Sequence, residues 1–380
     1  MTLLTLGVVG TSAKENEHRL PLHPEHLTGL DADLRSRIML EHGYAERFGV
    51  SDEALSDLVG GLASREEILS RSDVVVLPKP QHDDLMLLRE GSVLWGWPHC
   101  VQDPGLTQLA IDRQLTLIAF EAMNHWTSDG NVGLHVFHKN NELAGYCSVL
   151  HALQLTGRTG DYGRRLSAAV IGFGATARGA VTALNAHGVH DVTVLTTRGV
   201  AAVGSPIHSV RILQFDHDPD EPHLSHVITE RGRVPVATFL SERDVVVNCT
   251  LQDTAAPLTY LYAEDVAGFR PRSLIVDVSC DEGMGFEWAR PTTFDEPMFA
   301  VGDVDYYGVD HSPTYLWESA TWENSLALIP FLQPVLEGPD SWDADETLSR
   351  AIEIRDGHVV NPAILAFQGR SAEHPHAVAV

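Results

Sequence analysis

Basic residues are scarce in this chain. Its 380 residues include 26 Lys and Arg against 52 Asp and Glu, which gives a formal net charge of −26. Nucleic acids and anionic membrane surfaces attract basic patches, so this balance argues against both as partners and favours small-molecule ligands. Only Lys14, Lys79 and Lys139 are lysines. Each of them invites a functional reason, although Lys139 could simply be solvated.

Cysteines and long apolar runs are scarce as well. The four cysteines are scattered without a C-x-x-C pair, which predicts neither a disulfide framework nor a cysteine-ligated metal. No apolar run approaches the ~20 residues needed to cross a bilayer. The first residues lack the basic start and small-residue cleavage site of a signal peptide. We therefore expect a cytoplasmic protein without a membrane segment.

Clustered metal ligands are also missing from the pattern. Among the 20 histidines, two close pairs stand out, His23 with His26 and His135 with His138. Neither pair has the carboxylate or cysteine partners of a recognisable metal site. We predict no bound metal.

Length and composition predict two domains. A chain of 380 residues is too long for one typical domain, and 44% hydrophobic residues can fill two cores. Apolar segments at residues 3–10, 73–77, 93–95 and 115–120 alternate with helical stretches. This alternation predicts an α/β fold, with a mostly parallel sheet flanked by helices in each domain.

The domain boundary is expected in a long helix. Apolar spacing over residues 141–155 predicts this helix. We place a Rossmann dinucleotide-binding domain at residues 141–311, and a discontinuous substrate/catalytic domain at residues 1–140 with 312–380. The C-terminal part of that domain is predicted as helices with short loops that pack on its first part, ending in a frayed tail of ten residues.

A glycine turn follows an apolar strand in the second domain. Gly172, Gly174 and Ala177 lie in the strand–turn–helix context of a dinucleotide fingerprint, and apolar strands at 244–248 and 274–278 extend the same sheet. Gly172 permits a tight turn, Gly174 lets the backbone approach a pyrophosphate, and Ala177 allows close helix-to-strand packing. The alternative is a glycine turn that serves packing alone.

The end of the next strand bears on cofactor choice. NAD-binding proteins usually place an acid there, about twenty residues after the glycines, whereas this chain has Thr197 and Arg198. Hydroxyls and a guanidinium suit a 2′-phosphate. We therefore favour NADP(H) over NAD(H). The alternative is that Arg198 is a surface residue and the protein is indifferent between them.

Further motifs occur along nearly the whole chain. They are K-E-N-E-H-R-L-P-L at 14–22, L-P-K-P at 77–80, G-W-P-H-C-V-Q at 96–102, F-E-A-M at 120–123, K-N-N-E-L-A-G-Y at 139–146, V-D-V-S-C-D-E-G-M-G-F-E at 276–287, R-P-T-T at 290–293 and V-D-H-S-P-T-Y-L-W at 309–317. With the glycine turn, they resemble the alanine dehydrogenase superfamily and the N-terminal part of transhydrogenase. The resemblance is closer to the carboxyethylornithine synthases, which join pyruvate to a diamino acid. G-F-G-A-T-A replaces the G-G-G-T-type turn common among alanine dehydrogenases.

The resemblance implies roles for residues of the first domain. Arg19 would bind the carboxylate of a 2-oxo acid, for which a guanidinium fork is suited. Lys79 would contact the carbonyl or carboxylate oxygen. His99, in G-W-P-H, matches the family's catalytic histidine and would relay protons, which the ordinary titration range of histidine allows.

In the second domain the resemblance points to further residues. Asp281 would lie beside the nicotinamide and the substrate; its rival Asp277 could instead be a hydrogen-bonded structural carboxylate. Asn141 and Arg290 match residues that contact the cofactor, although both could equally be cap or surface residues. His311 stands where alanine dehydrogenases carry an asparagine, and we assign it to recognition of a second substrate.

The predicted activity is the NADPH-dependent condensation of a pyruvate-like 2-oxo acid with the amino group of an ornithine- or lysine-like amino acid, giving an N-(1-carboxyethyl)amino acid. One alternative is an amino acid dehydrogenase that uses ammonia. Another is a cofactor-binding protein without turnover. The joint presence of Arg19, Lys79, His99 and Asp281 argues against a pure binder, which needs no proton relay. The resemblance also implies a homo-oligomer.

Overall fold

The computed structural model describes residues 3–197, 210–216, 225–252 and 257–378. The chain divides into two compact units. The first unit comprises Met1–His138 and Trp317–Val380, and the second comprises Lys139–Leu316. The sequence pattern predicts boundaries after residues 140 and 311.

The N-terminal part of the first unit alternates short strands with short helices. The strands are β1 (Leu6–Val8), β2 (Ile38–Glu41), β3 (Gly61–Ala63), β4 (Val74–Val76), β5 (Val93–Gly96), β6 (Thr116–Ala119), β7 (Asn124–Trp126) and β8 (Val132–His135). The helices are α1 (Pro24–Leu27), α2 (Ala32–Arg35), α3 (Asp52–Ser56), α4 (Arg65–Arg71), α5 (His82–Leu87) and α6 (Pro104–Asp112). A capping box starts α4, because Ser64 Oγ accepts from Glu67 N and the Glu67 carboxylate accepts from Ser64 N.

The second unit begins with a long helix and continues with a second alternating series. The helices are α7 (His138–Leu155), α8 (Ala175–Ala186) and α9 (Val236–Ser241). The strands are β9 (Ser167–Ile171), β10 (Asp191–Thr196), β11 (Arg211–Asp216), β12 (His226–Thr229), β13 (Gly232–Pro235), β14 (Val245–Asn248), β15 (Thr259–Leu261), β16 (Leu274–Asp277), β17 (Gly285–Phe286), β18 (Met298–Val301) and β19 (Val304–Tyr307).

The C-terminal segment returns to the first unit. It contains helices α10 (Trp317–Glu337), α11 (Pro339–Ala344), α12 (Glu346–Ala351) and α13 (Pro362–Gln368), and strands β20 (Ile352–Arg355) and β21 (His358–Val359). The apolar face of α10 fills the core of this unit with fully buried side chains that include Leu328, Leu332 and Val335.

The sheet of the first unit has the order β21-β20-β6-β5-β4-β1-β2-β3. Strands β1 to β6 run parallel, whereas β20 and β21 add antiparallel strands at one edge. Val74 and Val76 of β4 belong to one hydrophobic cluster and Val75 to another. A strand buried on both faces is typical of a parallel sheet covered by helices on each side.

The second unit has a sheet of the order β13-β12-β11-β10-β9-β14-β16-β19-β18. The parallel strands β11-β10-β9-β14-β16-β19 follow the Rossmann order, and antiparallel strands extend both edges. The predicted α/β fold, with two mostly parallel sheets and a Rossmann domain, is confirmed.

Two expectations for the C-terminal segment are wrong. Besides helices it contains β20 and β21, and β20 pairs with β6 across a large sequence separation, Ile352 opposite Ile118. The last residues are also fastened rather than frayed as far as residue 378. His376 is buried, its Nε2 accepts from Val359 N at 3.0 Å, and Arg370 Nη1 donates to the His376 carbonyl at 3.2 Å.

Hydropathy along the helices bears on the membrane question. Over the four described ranges, none of the helices combines the length and apolar character that a bilayer crossing requires.

Candidate active site

The first unit gathers polar residues at one edge of its sheet. Arg19 lies in the loop after β1, Lys79 follows β4, His99 follows β5 and Glu121 follows β6. The carboxyl ends of parallel strands meet at one edge, and β1 and β4 are the neighbours at which the strand order reverses. Ligands of open α/β sheets bind outside this point.

Lys79 and His99 are in direct contact. Lys79 Nζ lies 2.9 Å from His99 Nε2. A protonated ammonium group has donors only, so Nε2 accepts this bond and the ring proton is assigned to Nδ1. With Lys79 protonated, the pair presents a cation next to an imidazole, an arrangement that can polarise a carbonyl oxygen and exchange a proton with it.

His99 has a strained backbone that Glu121 holds in place. Its φ is 48°, in the left-handed region that residues other than glycine seldom adopt. The His99 amide donates to Glu121 Oε1 at 2.7 Å, and His99 Nδ1 lies 3.7 Å from the same oxygen. Strained residues of this kind cluster at functional sites, where the surroundings fix them.

Arg19 is buried and oriented by Glu17. Its Nε donates to Glu17 Oε1 at 2.8 Å and its Nη2 donates to Glu17 Oε2. The guanidinium carbon lies 5.2 Å from the centre of the Trp97 ring. One edge of the fork therefore holds an internal carboxylate, which fixes the plane of the guanidinium group.

Glu121 is a functional candidate that the sequence pattern did not reveal. F-E-A-M carried the resemblance, but no role was assigned to its glutamate. Burial, followed by the charge of Glu353, raises the pKa of Glu121 to about 8, while Lys79 acts in the opposite direction. Strongly shifted carboxyls concentrate at functional sites. The available signal was its position, directly after a buried strand of the parallel sheet.

The second unit forms a dinucleotide cradle after β9. Gly172 has φ 110°, and a Cβ atom there would lie 2.9 Å from the Cys249 carbonyl oxygen, so this turn requires glycine. Gly174 precedes the twelve-residue helix α8, and a Cβ on Gly174 would enter open space. A backbone open to approach at the N-terminus of a helix fits a pyrophosphate. Ala177 is fully buried beneath it.

Two further glycines bring α7 and α8 into contact. A Cβ on Gly145 would overlap the Thr176 carbonyl oxygen, and a Cβ on Gly179 would overlap the Glu142 carbonyl oxygen. Backbone therefore packs on backbone where the two helices cross. These glycines lie in K-N-N-E-L-A-G-Y and G-F-G-A-T-A-R-G-A, and this packing gives both motifs a structural reason.

Thr197 and Arg198, which we expect to set the cofactor preference, follow β10 in the sequence. Thr197 is exposed directly after this strand. Arg198 lies outside the described residues.

Two further cofactor candidates lie elsewhere in the second unit. Asn141 is half-buried in the first turn of α7. Arg290 is exposed, with its guanidinium carbon 4.4 Å from the centre of the Phe299 ring.

The two aspartates at the end of β16 have different environments. Asp277 is fully buried and accepts from Asn248 Nδ2 at 3.0 Å, Cys280 N at 3.0 Å and the Tyr306 hydroxyl at 2.9 Å. Asp281, in the following loop, is half-buried, and burial raises its pKa. These contacts suit Asp277 to a structural role and leave Asp281 as the candidate for proton transfer.

His311 is enclosed by its neighbours. Its Nδ1 lies 2.6 Å from Asp310 Oδ1, its ring meets the Phe294 ring edge-on at 5.1 Å, and its side chain is fully buried. An Asp–His contact of this kind fixes the orientation of the ring. The assignment of His311 to a second substrate stays a prediction.

Both parts of the chain match one protein family. Residues 8–144 match the model described as alanine dehydrogenase/PNT, N-terminal domain, and residues 166–362 match alanine dehydrogenase/PNT, C-terminal domain. The chain belongs to the alanine dehydrogenase/PNT family. The resemblance seen in the motifs is thereby confirmed. As a member of this family, the protein is an NAD(P)-dependent oxidoreductase.

Individual relatives include both activities considered from the sequence. N(5)-(carboxyethyl)ornithine synthase of Clostridium botulinum is 23% identical over 324 residues, covering 80% of this chain and 87% of the relative. Alanine dehydrogenase of Bacillus subtilis is 26% identical over 357 residues, covering 92% and 91%. Family membership therefore does not decide between the two reactions.

Solved structures of the alanine dehydrogenase/PNT family share the fold. An L-alanine dehydrogenase has a TM-score of 0.76 at 19% identity, covering 96% of this chain and 99% of that chain. Transhydrogenase from Sinorhizobium meliloti has a TM-score of 0.69 at 19% identity, covering 94% and 99%. At this identity the likeness establishes the fold alone.

Proposed function

We propose that this protein reduces the C=N bond formed between a pyruvate-like 2-oxo acid and the amino group of an ornithine- or lysine-like amino acid. The product is an N-(1-carboxyethyl)amino acid. The observation that carries the proposal is the Lys79–His99 contact of 2.9 Å at the switch point of the first unit. It combines a cation for the 2-oxo acid with a group that exchanges protons.

Binding of the 2-oxo acid is assigned to Arg19 and Lys79. Glu17 fixes the guanidinium plane of Arg19 through two hydrogen bonds, so little side-chain freedom is lost when Arg19 binds a carboxylate. Lys79 then directs its charge at the carbonyl oxygen. This polarisation makes the carbonyl carbon a better acceptor for the amine.

Proton transfer is assigned to His99, with Asp281 as a second candidate in the other unit. The neutral amine attacks the carbonyl carbon, and the carbonyl oxygen leaves as water carrying the two protons that the nitrogen gives up, which leaves a C=N bond. Hydride addition to the resulting C=N carbon and protonation of nitrogen complete the secondary amine. One proton from solution is consumed overall, and His99 is placed to pass it on.

The cofactor fits the second unit. Gly172, Gly174 and the N-terminus of α8 would hold the pyrophosphate, with Ala177 packed below. The nicotinamide supplies the hydride. We propose NADP(H) as the preferred form because Thr197 and Arg198 replace the usual acid. We also propose contacts of Asn141 and Arg290 with the cofactor and of His311 with the second substrate.

The second candidate function is an amino acid dehydrogenase that uses ammonia. The similarity to alanine dehydrogenases, which is as high as that to the synthase, favours it. The two reactions differ in the amine, so amine dependence separates them.

Amine and cofactor dependence test the proposal directly. Purified full-length protein is mixed with pyruvate and either NADPH or NADH, then with ornithine, lysine or an ammonium salt, and products are analysed by mass spectrometry. We expect NADPH oxidation that requires an amino acid and yields a carboxyethyl adduct. Turnover of pyruvate with an ammonium salt and NADH, without an amino acid, would establish the dehydrogenase instead. Cofactor binding without turnover of any amine would favour a binding protein.

Removal of the imidazole tests the assigned proton relay. We expect His99→Asn to lower kcat/KM roughly 10²- to 10⁴-fold without weakening nucleotide binding, which is assigned to the other unit. His42→Asn is the matched control, because His42 is an exposed histidine of the same unit. Equal activity of the His99 variant and this control would remove His99 from the mechanism.

A further inference from the structure

Two glutamates lie near His99, close enough that the charge of Glu353 acts, after burial, on the pKa of Glu121. Glu121 follows β6, and Glu353 lies in β20, the strand paired with β6. The register of that pair shifts between Ile352 and Ile354, so Glu353 lies at an irregularity of the ladder. Such irregularities redirect a side chain next to a functional site.

One oxygen of each carboxylate is buried. Glu121 Oε2 and Glu353 Oε2 are inaccessible to solvent, and neither accepts a hydrogen bond from an N–H or O–H group among the described residues. The Cys100 thiol, which is only a weak donor, faces Glu353. The other oxygens are engaged, since Glu121 Oε1 accepts from His99 N at 2.7 Å and Glu353 Oε1 accepts from Asn361 Nδ2 at 3.1 Å. A buried carboxylate oxygen without a donor is costly.

Positive charge near the pair is limited. The titratable groups that face the two carboxylates are Lys79, His99, Cys100 and His135, with Asp103 beyond Cys100. Lys79 supplies a positive charge. His135 Nε2 lies 3.3 Å from the Glu121 carbonyl oxygen, and burial lowers the pKa of His135, which disfavours a second positive charge there. Burial first, and then the charge of Glu353, raises the pKa of Glu121 and also that of the Cys100 thiol. One cation can balance one negative charge but not two.

We propose that Glu121 and Glu353 share a single proton across their two sealed oxygens, and that this carboxyl–carboxylate pair positions His99. One proton between two carboxylates leaves one negative charge, which Lys79 balances. It also gives both sealed oxygens a hydrogen-bond partner, because a protonated carboxyl is a donor. Like-charged carboxylates at close range cannot both ionise.

The pair acts on the reaction through His99. Glu121 Oε1 holds the His99 amide and lies 3.7 Å from Nδ1, so the charge of Glu121 is felt by the imidazole. By sharing a proton with Glu121, Glu353 reduces the negative charge that Glu121 carries beside the imidazole. Only this effect on His99 rests on the proposed function; the shared proton itself is a property of the folded protein.

The shared proton can be observed without enzymatic turnover. We compare infrared spectra of the folded full-length wild type, Glu121→Gln, Glu353→Gln and the control Glu90→Gln, which alters an exposed carboxylate of the same unit. Near neutral pH, wild type and control should show the C=O stretch of one protonated carboxyl that titrates about pH 8. Both pair variants should lose it, because a glutamine amide donates to the remaining carboxylate and allows it to ionise.

The four spectra together decide whether the two carboxylates share a proton. A band that persists in both pair variants, or that is missing from the wild type, would overturn the shared proton. Asp277, whose pKa is raised to about 6, is present in all four proteins and contributes equally to each spectrum. Circular dichroism confirms that each variant is folded before its spectrum is interpreted.

The pH dependence of activity tests the positioning role. In Glu353→Gln, an amide donor replaces the neighbouring carboxylate, so the pKa of Glu121 falls and its anion, beside the imidazole, favours the protonated ring. We expect the pH of half-maximal kcat/KM to rise by roughly one unit. A merely structural role would lower activity by the same factor at every pH, and that result would overturn the positioning role. If no amine supports turnover, the proposed function fails while the infrared result stands.

Discussion

Asp277 couples folding to pH at the scale of a single residue. Burial raises the pKa of its carboxyl from 3.8 to about 6, against the opposing effect of its three hydrogen bonds. The folded protein thus binds this proton more tightly than the unfolded chain does. By linkage, the stabilisation is fully present below about pH 4 and is lost as the pH rises through about 6.

Asp277→Asn should remove this pH dependence. Asparagine can accept from Asn248 and the Cys280 amide and donate to Tyr306, so the contacts are kept. Relative to wild type, the free energy of unfolding of the variant should increase between pH 4 and 7, by roughly 2–3 kcal/mol at most. Urea unfolding at several pH values measures this. The surface control Asp303→Asn should change the free energy of unfolding by the same amount at every pH. The same result for Asp277→Asn would contradict the prediction.

Sequence patterns indicated where the candidate side chains lie better than they indicated the partners of those side chains. Arg19, Lys79 and His99 follow apolar strands of one parallel sheet, so their common edge could be anticipated. Glu17 and Glu353 could not be assigned roles. Glu17 contacts Arg19 because of the conformation of the loop that holds both residues. Glu353 lies near the site because β20 pairs with β6, and nothing in the sequence around Glu353 predicts that pairing.

At the scale of elements, the crossing of α7 and α8 depends on glycine. Introducing alanine for glycine within a helix usually stabilises it by about 1 kcal/mol. Gly179→Ala in α8 should instead destabilise the protein by roughly 1–3 kcal/mol, because the new methyl group overlaps the Glu142 carbonyl. Thermal unfolding compares this variant with Thr182→Ala, an exposed position of the same helix. If Gly179→Ala unfolded at a higher temperature than wild type, α7 and α8 would have to move apart at little cost in free energy.

The strands show which elements a sequence can reveal. β4 and β14 are continuous runs of buried valine, and such runs are typical of central parallel strands. β20 has only four residues, too few to separate a period of two from a helical period. Its strand character comes from pairing with β6, so it became visible only in the folded chain.

At the scale of the whole molecule, the cysteines report on global opening. All four are buried thiols outside any disulfide bond, and burial raises the pKa of the Cys100 and Cys249 thiols. Since the thiolate is the reactive form, we expect alkylation of the native protein to be slow and limited by unfolding, with all four modified in urea. Nucleotide should slow it further by stabilising the folded state. Rapid modification of native protein would contradict this.

The pairing of β20 with β6 also imposes an order on biosynthesis. A ribosome that has just made Ile118 must add every residue up to Ile352 before the two strands can meet, which takes on the order of tens of seconds at ordinary elongation rates. The second unit is contiguous and can form in that interval. Meanwhile the edge of β6 stays exposed on the nascent chain, as a target for chaperones or for misassembly between neighbouring chains on one messenger.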